Sequence, residues 1–339
     1  AFAIVEKECL KVRDGVGLLD ISGFSRFEVI GANAEKWLNK IFASKLPSPG
    51  KSALAPMLSQ TGRLKGDLSI FNWGDGTWWI MGSYYLRAWH MRWFLDHIFE
   101  GVSIRDLGED YCGFSLAGPK SRKMISQLCE GEVEKLPFMG CGNFDIGLVR
   151  SKVGRISVAG ELGYEINCKM GDHIALRRTL IERGREFDIH EYGFNALLSM
   201  RLEKSFGIWS AEFTQGYTPG MTGLDRWIDW EKGDFIGRKP AHNEKTAAGP
   251  NQKLVTLEIE ATDADASGFE PIWKKGKRVG FVTSGGYGHR VKKSLAMGLV
   301  KTELANEGQE LEVHVVGKEH KARVIPSSPY DPKGDAMRL

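Results

Sequence analysis

Thr61-Gly62-Arg63-Leu64-Lys65-Gly66-Asp67-Leu68-Ser69-Ile70 is the stretch from which this chain is best read. Gly62 and Gly66 permit a tight turn and a close backbone approach. Leu68 and Ile70 alternate with polar residues as a strand requires, and Trp78-Trp79-Ile80-Met81 supplies the second strand of a hairpin turned between Asn72 and Gly76. The hairpin sets one carboxylate, Asp67, at the mouth of an apolar strand beside wide aromatic side chains. Such surroundings suit a flat, partly charged ligand, so Asp67 is the candidate catalytic residue. Taken without its neighbours, the segment also describes a solvated turn whose aspartate bonds nearby backbone.

Outward from the hairpin, strands mix with amphipathic helices. Residues 33–42 carry Ala34, Trp37, Leu38 and Ile41 at helical spacing, and residues 85–99 gather Leu86, Trp89, Trp93 and Phe94 within one arc. Asp172 is placed to cap a third helix over about 173–187, with Leu176, Leu180 and Phe187 on one side. After Gly233 the texture changes, and residues 239–253, rich in Ala, Asn, Gly and Pro, read as a linker. Beyond it, residues 254–259, 278–283, 295–300 and 312–316 are short apolar runs separated by turn residues, the pattern of a small barrel or sandwich. The fold class expected is α+β.

Composition removes several function classes. At 339 residues the chain exceeds the usual span of one domain, and 42% hydrophobic with 26% charged residues is the make-up of a globular protein. Its 46 basic against 43 acidic residues leave +3, too little to call for nucleic acid or a membrane surface as partner. Cys9, Cys112, Cys129, Cys141 and Cys168 are odd in number and never form a C-x-x-C pair, so neither a disulfide framework nor a zinc site is signalled and a reducing compartment is expected. No metal is called for. No run approaches a membrane-spanning length, and the start lacks a signal-peptide pattern.

Familiar motifs fail on spacing. Gly50-Lys51-Ser52 resembles the end of a phosphate loop, but the earlier glycine position holds Lys45. Gly285-Gly286-Tyr287-Gly288 lacks the dinucleotide spacing, His190-Glu191 is followed by Phe194 instead of a second histidine, and no G-x-S-x-G elbow occurs.

A set of motifs, taken in order, resembles one family. Gly62-x-x-x-Gly66-Asp67, Leu116-Ala117-Gly118-Pro119, Gly160-Glu161-Leu162-Gly163-Tyr164-Glu165, Met200-Arg201-Leu202-Glu203-Lys204 and Lys232-Gly233-Asp234-Phe235-Ile236-Gly237-Arg238 follow the pattern of the aminomethyltransferase, or glycine-cleavage T-protein, family. Val282 to His289 and Ser294 to Gly298 continue it. The texture is similar to the folate-binding C-terminal region of dimethylglycine and sarcosine dehydrogenases, down to Tyr330-Asp331-Pro332-Lys333-Gly334. No one motif is decisive; the order of all of them is.

The resemblance implies a three-domain cloverleaf around a central folate channel. Two intertwined α+β domains would occupy residues 1–245 and a C-terminal small β-barrel residues 250–333. It implies transfer of a methylene or methyl unit from a methylated amine such as dimethylglycine or sarcosine to tetrahydrofolate. The chain would act alone or as one domain or subunit of a demethylating dehydrogenase whose flavoprotein part lies elsewhere. Asp67 falls on the family's essential aspartate, whose charge orients the folate amine and stabilises a cationic donor. Glu165 falls on the acid that accepts two N–H bonds from the pteridine edge. Tyr84, Trp79, Met81 and Gly82 complete the expected cofactor-binding set. The implied compartment is the cytoplasm, or the mitochondrial matrix in a eukaryote.

The same residues carry blander readings, and the chain departs from the pattern. Glu165 also reads as an exposed strand residue paired with a lysine, Tyr84 and Tyr85 as core at a helix start, and His289 as a surface histidine. Arg201 and Glu203, two apart and so not facing each other on a helix, read as ties between domains. Leu197 stands where aminomethyltransferases carry the arginine for the folate tail, Val158 where relatives have tyrosine, and Trp79 where they have a folate-contacting tyrosine. The family's opening segment before Val12 is missing, and the chain begins with Ala1, which favours a fragment or a subunit completed elsewhere. The alternatives are a folate-dependent demethylase of an O- or S-methyl donor, and a non-catalytic regulatory subunit of the same fold.

Overall fold

The computed structural model describes residues 1–129 and 132–339. Helix α1 (Phe2–Asp14) leads into β1 (Gly17–Asp20), which belongs to one sheet, while β2 (Ser25–Ile30), α2 (Ala34–Ile41), β3 (Lys51–Leu58), β4 (Leu64–Asn72), β5 (Trp78–Gly82), α3 (Arg87–Asp96) and β6 (Ser103–Asp106) build a second. The chain then returns to the first sheet through β7 (Tyr111–Ala117), α4 (Ser121–Ser126), β8 (Cys141–Ile146), β9 (Val149–Gly154), β10 (Gly163–Lys169), α5 (His173–Gly184) and β11 (His190–Glu191). Among the described residues the first sheet runs β11-β1-β7-β10-β9-β8 and the second β3-β4-β5-β2-β6, so the second is inserted between two strands of the first.

The two-residue period of a strand then sorts the side chains. On β4, Leu68 and Ile70 enter a core with Phe27, Val29, Trp37 and Phe94 beneath α2 and α3, which leaves Asp67 and Phe71 on the opposite face. On β10, Tyr164, Ile166 and Cys168 enter a core with Leu176 and Leu180 of α5, which turns Glu165 and Asn167 the other way. Phe71, Trp73, Trp79 and Met81 of the second sheet share a cluster with Cys141 of the first, so the faces bearing Asp67 and Glu165 are turned toward each other. Arg26 on β2 stitches them: its Nε donates to Asn167 Oδ1 at 2.8 Å, and its Nη atoms to the carbonyls of Phe24 at 2.8 Å and Ile21 at 3.0 Å.

After α6 (Phe194–Glu203) and α7 (Pro219–Thr222), residues 238–246 form α8 (Arg238–Thr246), where the composition had suggested a linker. Ala241 is the reason: it packs with Leu58, Leu64 and Phe235, so one small apolar residue anchors an otherwise polar helix. Its entry is tight. Gly237, at φ +82°, leaves only 2.3 Å between a would-be Cβ and the Ser59 carbonyl, and Gly62, at φ +77°, lies against Ala241.

The barrel is closed, with β12 (Gln252–Ile259), β13 (Pro271–Lys274), β14 (Lys277–Gly288), β15 (Lys293–Lys301), β16 (Glu310–Val315) and β17 (Lys318–Ile325) in the antiparallel order β12-β15-β14-β13-β16-β17. The strands β13 and β17 escaped the sequence reading, the first for its length of four residues, the second because Lys318, Glu319, Lys321 and Arg323 outnumber its apolar positions.

Buried charges bind these parts together. Arg13 on α1 donates to Glu161 at 2.9 Å and Glu203 at 2.8 Å, all three enclosed, and Tyr330 donates its hydroxyl to Glu161 at 2.6 Å. The second Glu203 oxygen accepts the backbone N–H of Arg290 at 2.7 Å and of Val291 at 3.1 Å from the barrel. Arg201 donates to Glu212 at 3.0 Å. The pair Arg201 and Glu203 therefore ties α6 to different neighbours, as their spacing on the helix suggested.

Candidate active site

Asp67 sits mid-strand on β4, with part of its surface open and protein surrounding it at longer range. No described side chain donates a hydrogen bond to its carboxylate. Burial pushes its pKa from 3.8 up to about 8, helped by the charge of Glu212 and opposed by its own backbone N–H. Glu212 is itself fully buried and saturated, accepting from Thr283 at 2.6 Å, Ser284 at 2.5 Å, Arg201 at 3.0 Å and the Ile208 N–H at 3.0 Å. It is thus a fixed carboxylate, while Asp67 is a loosely held one.

Beside Asp67, the polypeptide at Gly66 leans on His90. The His90 Nε2 lies 3.1 Å from the Lys65 carbonyl, and burial lowers its pKa from 6.5 to about 4, so the ring is neutral with its proton on Nε2. That leaves Nδ1 a buried acceptor without a partner. Trp89 and Trp209 flank the ring, their centroids 5.4 Å and 6.2 Å from it.

Glu165 is 4% exposed and its carboxylate accepts no hydrogen bond from any described residue. Burial raises its pKa from 4.5 to about 7 against the pull of Arg26. Tyr192 lies on another side, its buried hydroxyl near Ser115 without a well-formed hydrogen bond and its pKa raised, first by burial and in part by Glu165. The exposed, lysine-paired alternative for Glu165 is thereby overturned. A buried carboxylate left without donors is costly unless something else supplies them.

The remaining expected residues are divided. Trp79 and Met81 are buried in the cluster between the sheets, on the face of the second sheet that bears Asp67, and Trp79 packs against Tyr111 with centroids 4.7 Å apart. Gly82 ends β5 with Leu68 so close that a Cβ would lie 2.2 Å from its methyl. Tyr84 and Tyr85 are exposed on the turn that follows, at 59% and 86%, so the core-packing reading of this pair is wrong. His289 is not on the surface either: it is 3% exposed against Phe2 and Tyr287. Leu197 is buried with Val12, Leu19 and Tyr192, an apolar position in every respect. Sequence reasoning missed Arg26, His90 and Glu212. Arg26 stands at a polar position of an alternating strand and His90 in a helix that carries Arg87 and Arg92, so nothing local sets either apart, and Glu212 lies in a loop with no periodicity to mark it.

The arrangement places two desolvated, unpaired carboxylates on facing sheets, and Glu212, not Glu165, is the one whose charge acts on Asp67. One can receive a cation and the other a set of N–H donors. Among the described residues no cluster of three or more His, Cys, Asp or Glu side chains is disposed to hold a metal, and no helix is long and apolar enough to cross a membrane.

Two interleaved α/β units with a closed antiparallel barrel behind them make a fold seen before. The structure superposes on the glycine cleavage system aminomethyltransferase T of Bartonella henselae with a TM-score of 0.88 at 24% identity, covering 97% of this chain and 90% of that one. Residues 1–232 match the GCVT N-terminal domain and residues 252–331 the glycine cleavage T-protein C-terminal barrel domain. The chain belongs to the glycine-cleavage T-protein family, the aminomethyltransferases. It is 31% identical over 330 residues to mouse mitochondrial dimethylglycine dehydrogenase, covering 96% of this chain but 38% of that protein. It is 28% identical over 334 residues to an aminomethyltransferase of Geobacillus sp. strain WCH70, covering 97% of this chain and 91% of that one.

Proposed function

We propose that the chain is a tetrahydrofolate-dependent one-carbon transferase, taking a methylene or methyl unit from a methylated amine such as dimethylglycine or sarcosine. The observation that carries this reading is Glu165, a buried carboxylate with no donor of its own. The aminopyrimidine edge of a pterin offers two parallel N–H groups, the bidentate partner a carboxylate takes most strongly. Bound there, tetrahydrofolate supplies the amine nitrogen that accepts the one-carbon unit. Glu165 holds the ring edge, and Arg26 favours the charged form of Glu165 without bonding to it. Asp67, neutral at pH 7 in the free protein, releases its proton to solvent through its open side as a cationic amine arrives, and the new charge pair orients the donor.

The dehydrogenase relative extends well beyond the matched region, which supports a flavoprotein domain or subunit as partner for amine oxidation. A cytoplasmic or mitochondrial-matrix setting goes with that chemistry. Calorimetric titration with tetrahydrofolate tests the reading. Binding should weaken at least tenfold in Glu165→Gln, the loss expected for a charged hydrogen bond. No heat from the wild-type chain would sink it. Recovery of 5,10-methylene or of 5-methyl tetrahydrofolate after addition of donor separates oxidised-amine from direct methyl transfer.

A further inference from the structure

One row of residues crosses the first sheet on the face that bears Glu165. Its members stand opposite one another in register: Leu19 on β1, Ser115 on β7, Glu165 on β10 and Gly154 on β9. Packing closes both ends of the row. Leu19 lies in a cluster with Val12 of α1 and Met200 of α6, and a Cβ at Gly154 would come within 2.6 Å of the Phe71 ring from the second sheet. Between these ends stand the row's two polar residues, Ser115 and Glu165, both buried. Neither the serine hydroxyl nor the carboxylate makes a hydrogen bond of ordinary geometry to a described residue. Directly opposed residues bring their Cβ atoms to about 5 Å, so a group bound at Glu165 also meets Ser115.

Tyr192 stands behind the serine. Its ring packs with Leu19, its buried hydroxyl has no partner, and Ser115 and Glu165 are the side chains that act on it most strongly. Phenylalanine would fill the same apolar volume without enclosing a hydroxyl. A tyrosine hydrogen directed at the serine oxygen turns the serine's own hydrogen outward, beside Glu165.

We propose that Ser115, set by Tyr192, is a ligand-binding residue that donates to a ring carbonyl next to the N–H groups taken by Glu165. The inference rests on the folate reading of Glu165. Carboxylate and hydroxyl together offer two acceptors and a donor, and the pterin edge offers two donors and a carbonyl in matching order. Ser115 thereby selects a ring bearing that carbonyl over one bearing an amino group in its place, and Tyr192 is its positioning residue.

The test is calorimetry on the whole chain as wild type, Ser115→Ala and Tyr192→Phe, with tetrahydrofolate and with tetrahydroaminopterin, in which an amino group replaces the ring carbonyl. Thermal melting confirms that each variant is folded. Ser115→Ala should weaken tetrahydrofolate about tenfold and change tetrahydroaminopterin by less than about twofold. In Tyr192→Phe the serine can turn either way, so tetrahydrofolate should weaken by about threefold while the analogue does not. Ser115→Ala with wild-type affinity for tetrahydrofolate, or with equal losses for the two ligands, would overturn the inference; tetrahydrofolate binding that still weakens in Glu165→Gln would leave the folate reading standing. A wild-type chain that does not bind tetrahydrofolate would overturn both.

Discussion

Replacing Glu165 by glutamine should make the protein more stable at alkaline pH while impairing its ligand binding. The folded pKa is raised by burial from 4.5 to about 7, so between those values the folded chain holds a proton that the unfolded chain has released. Stability is therefore complete below about pH 4.5 and declines as pH rises through about 7. A shift of this size corresponds to about 3 kcal/mol of destabilisation by the ionised carboxylate, since each pKa unit is about 1.4 kcal/mol. Glutamine has nearly the same shape and never ionises. Near pH 5, where Glu165 is neutral, variant and wild type should unfold at similar denaturant concentrations. At pH 8 the variant should be the more stable by about 3 kcal/mol. Asp67 and other groups add their own pH dependence, but neither carboxylate acts appreciably on the other, so subtraction isolates Glu165. The assay is urea denaturation followed by tryptophan fluorescence at pH 5 and pH 8, with tetrahydrofolate titration alongside. Parallel loss of stability in both proteins across that range would refute the claim that Glu165 is a desolvated, unpaired acid.

Asp67→Asn should lower transfer by about 100-fold or more in single-turnover assays while leaving folate affinity within a few-fold, because it removes the charge that faces the donor and not the pterin partner. Arg13→Met strands Glu161 and Glu203 in the interior and should destabilise by about 3–5 kcal/mol in urea, whereas Lys11→Met, which breaks the exposed pair with Asp188, should change stability by less than about 1 kcal/mol. Gly237→Ala combines φ +82° with a backbone oxygen 2.3 Å from the new Cβ and should lose at least about 2 kcal/mol, more than Gly276→Ala at φ +70°, which meets no atom within 4 Å; equal losses would mean the contact with Ser59 is dispensable.

What could be read from the chain without its structure divides by the range of the interaction involved. The apolar arc Ala34, Trp37, Leu38 and Ile41 gave a helix to within a residue at each end, because one face of one element decides it. The hairpin of β4 and β5 was legible for the same reason. Asp172 shows the limit of local rules: it occupies the position before α5, yet its side chain makes no capping bond. Polar stretches misled in the opposite direction, since α8 is held by buried Ala241, by contacts to a turn some 180 residues earlier, and by Trp230 and Thr218 outside its own window.

The site divides along the same line. Alternation along β4 and β10 puts Asp67 and Glu165 opposite their apolar neighbours, and that much was implicit in the residues. Nothing in the sequence says that the faces bearing Asp67 and Glu165 are turned toward one another. That outcome depends on the second sheet being inserted between β1 and β7 of the first, so that the outer faces take the helices and the inner faces are left to meet. The insertion also brings Arg26 to Asn167, 141 residues away, while Arg201 and the barrel's Thr283 and Ser284 hold Glu212 within range of Asp67. A carboxylate raised toward neutral pH by burial at one site, and a second raised by burial and by a fixed neighbour, are properties of that arrangement and not of either motif. The topology thus supplies what motifs alone cannot: two buried acids on facing sheets, neither of them given a hydrogen-bond donor by a described side chain.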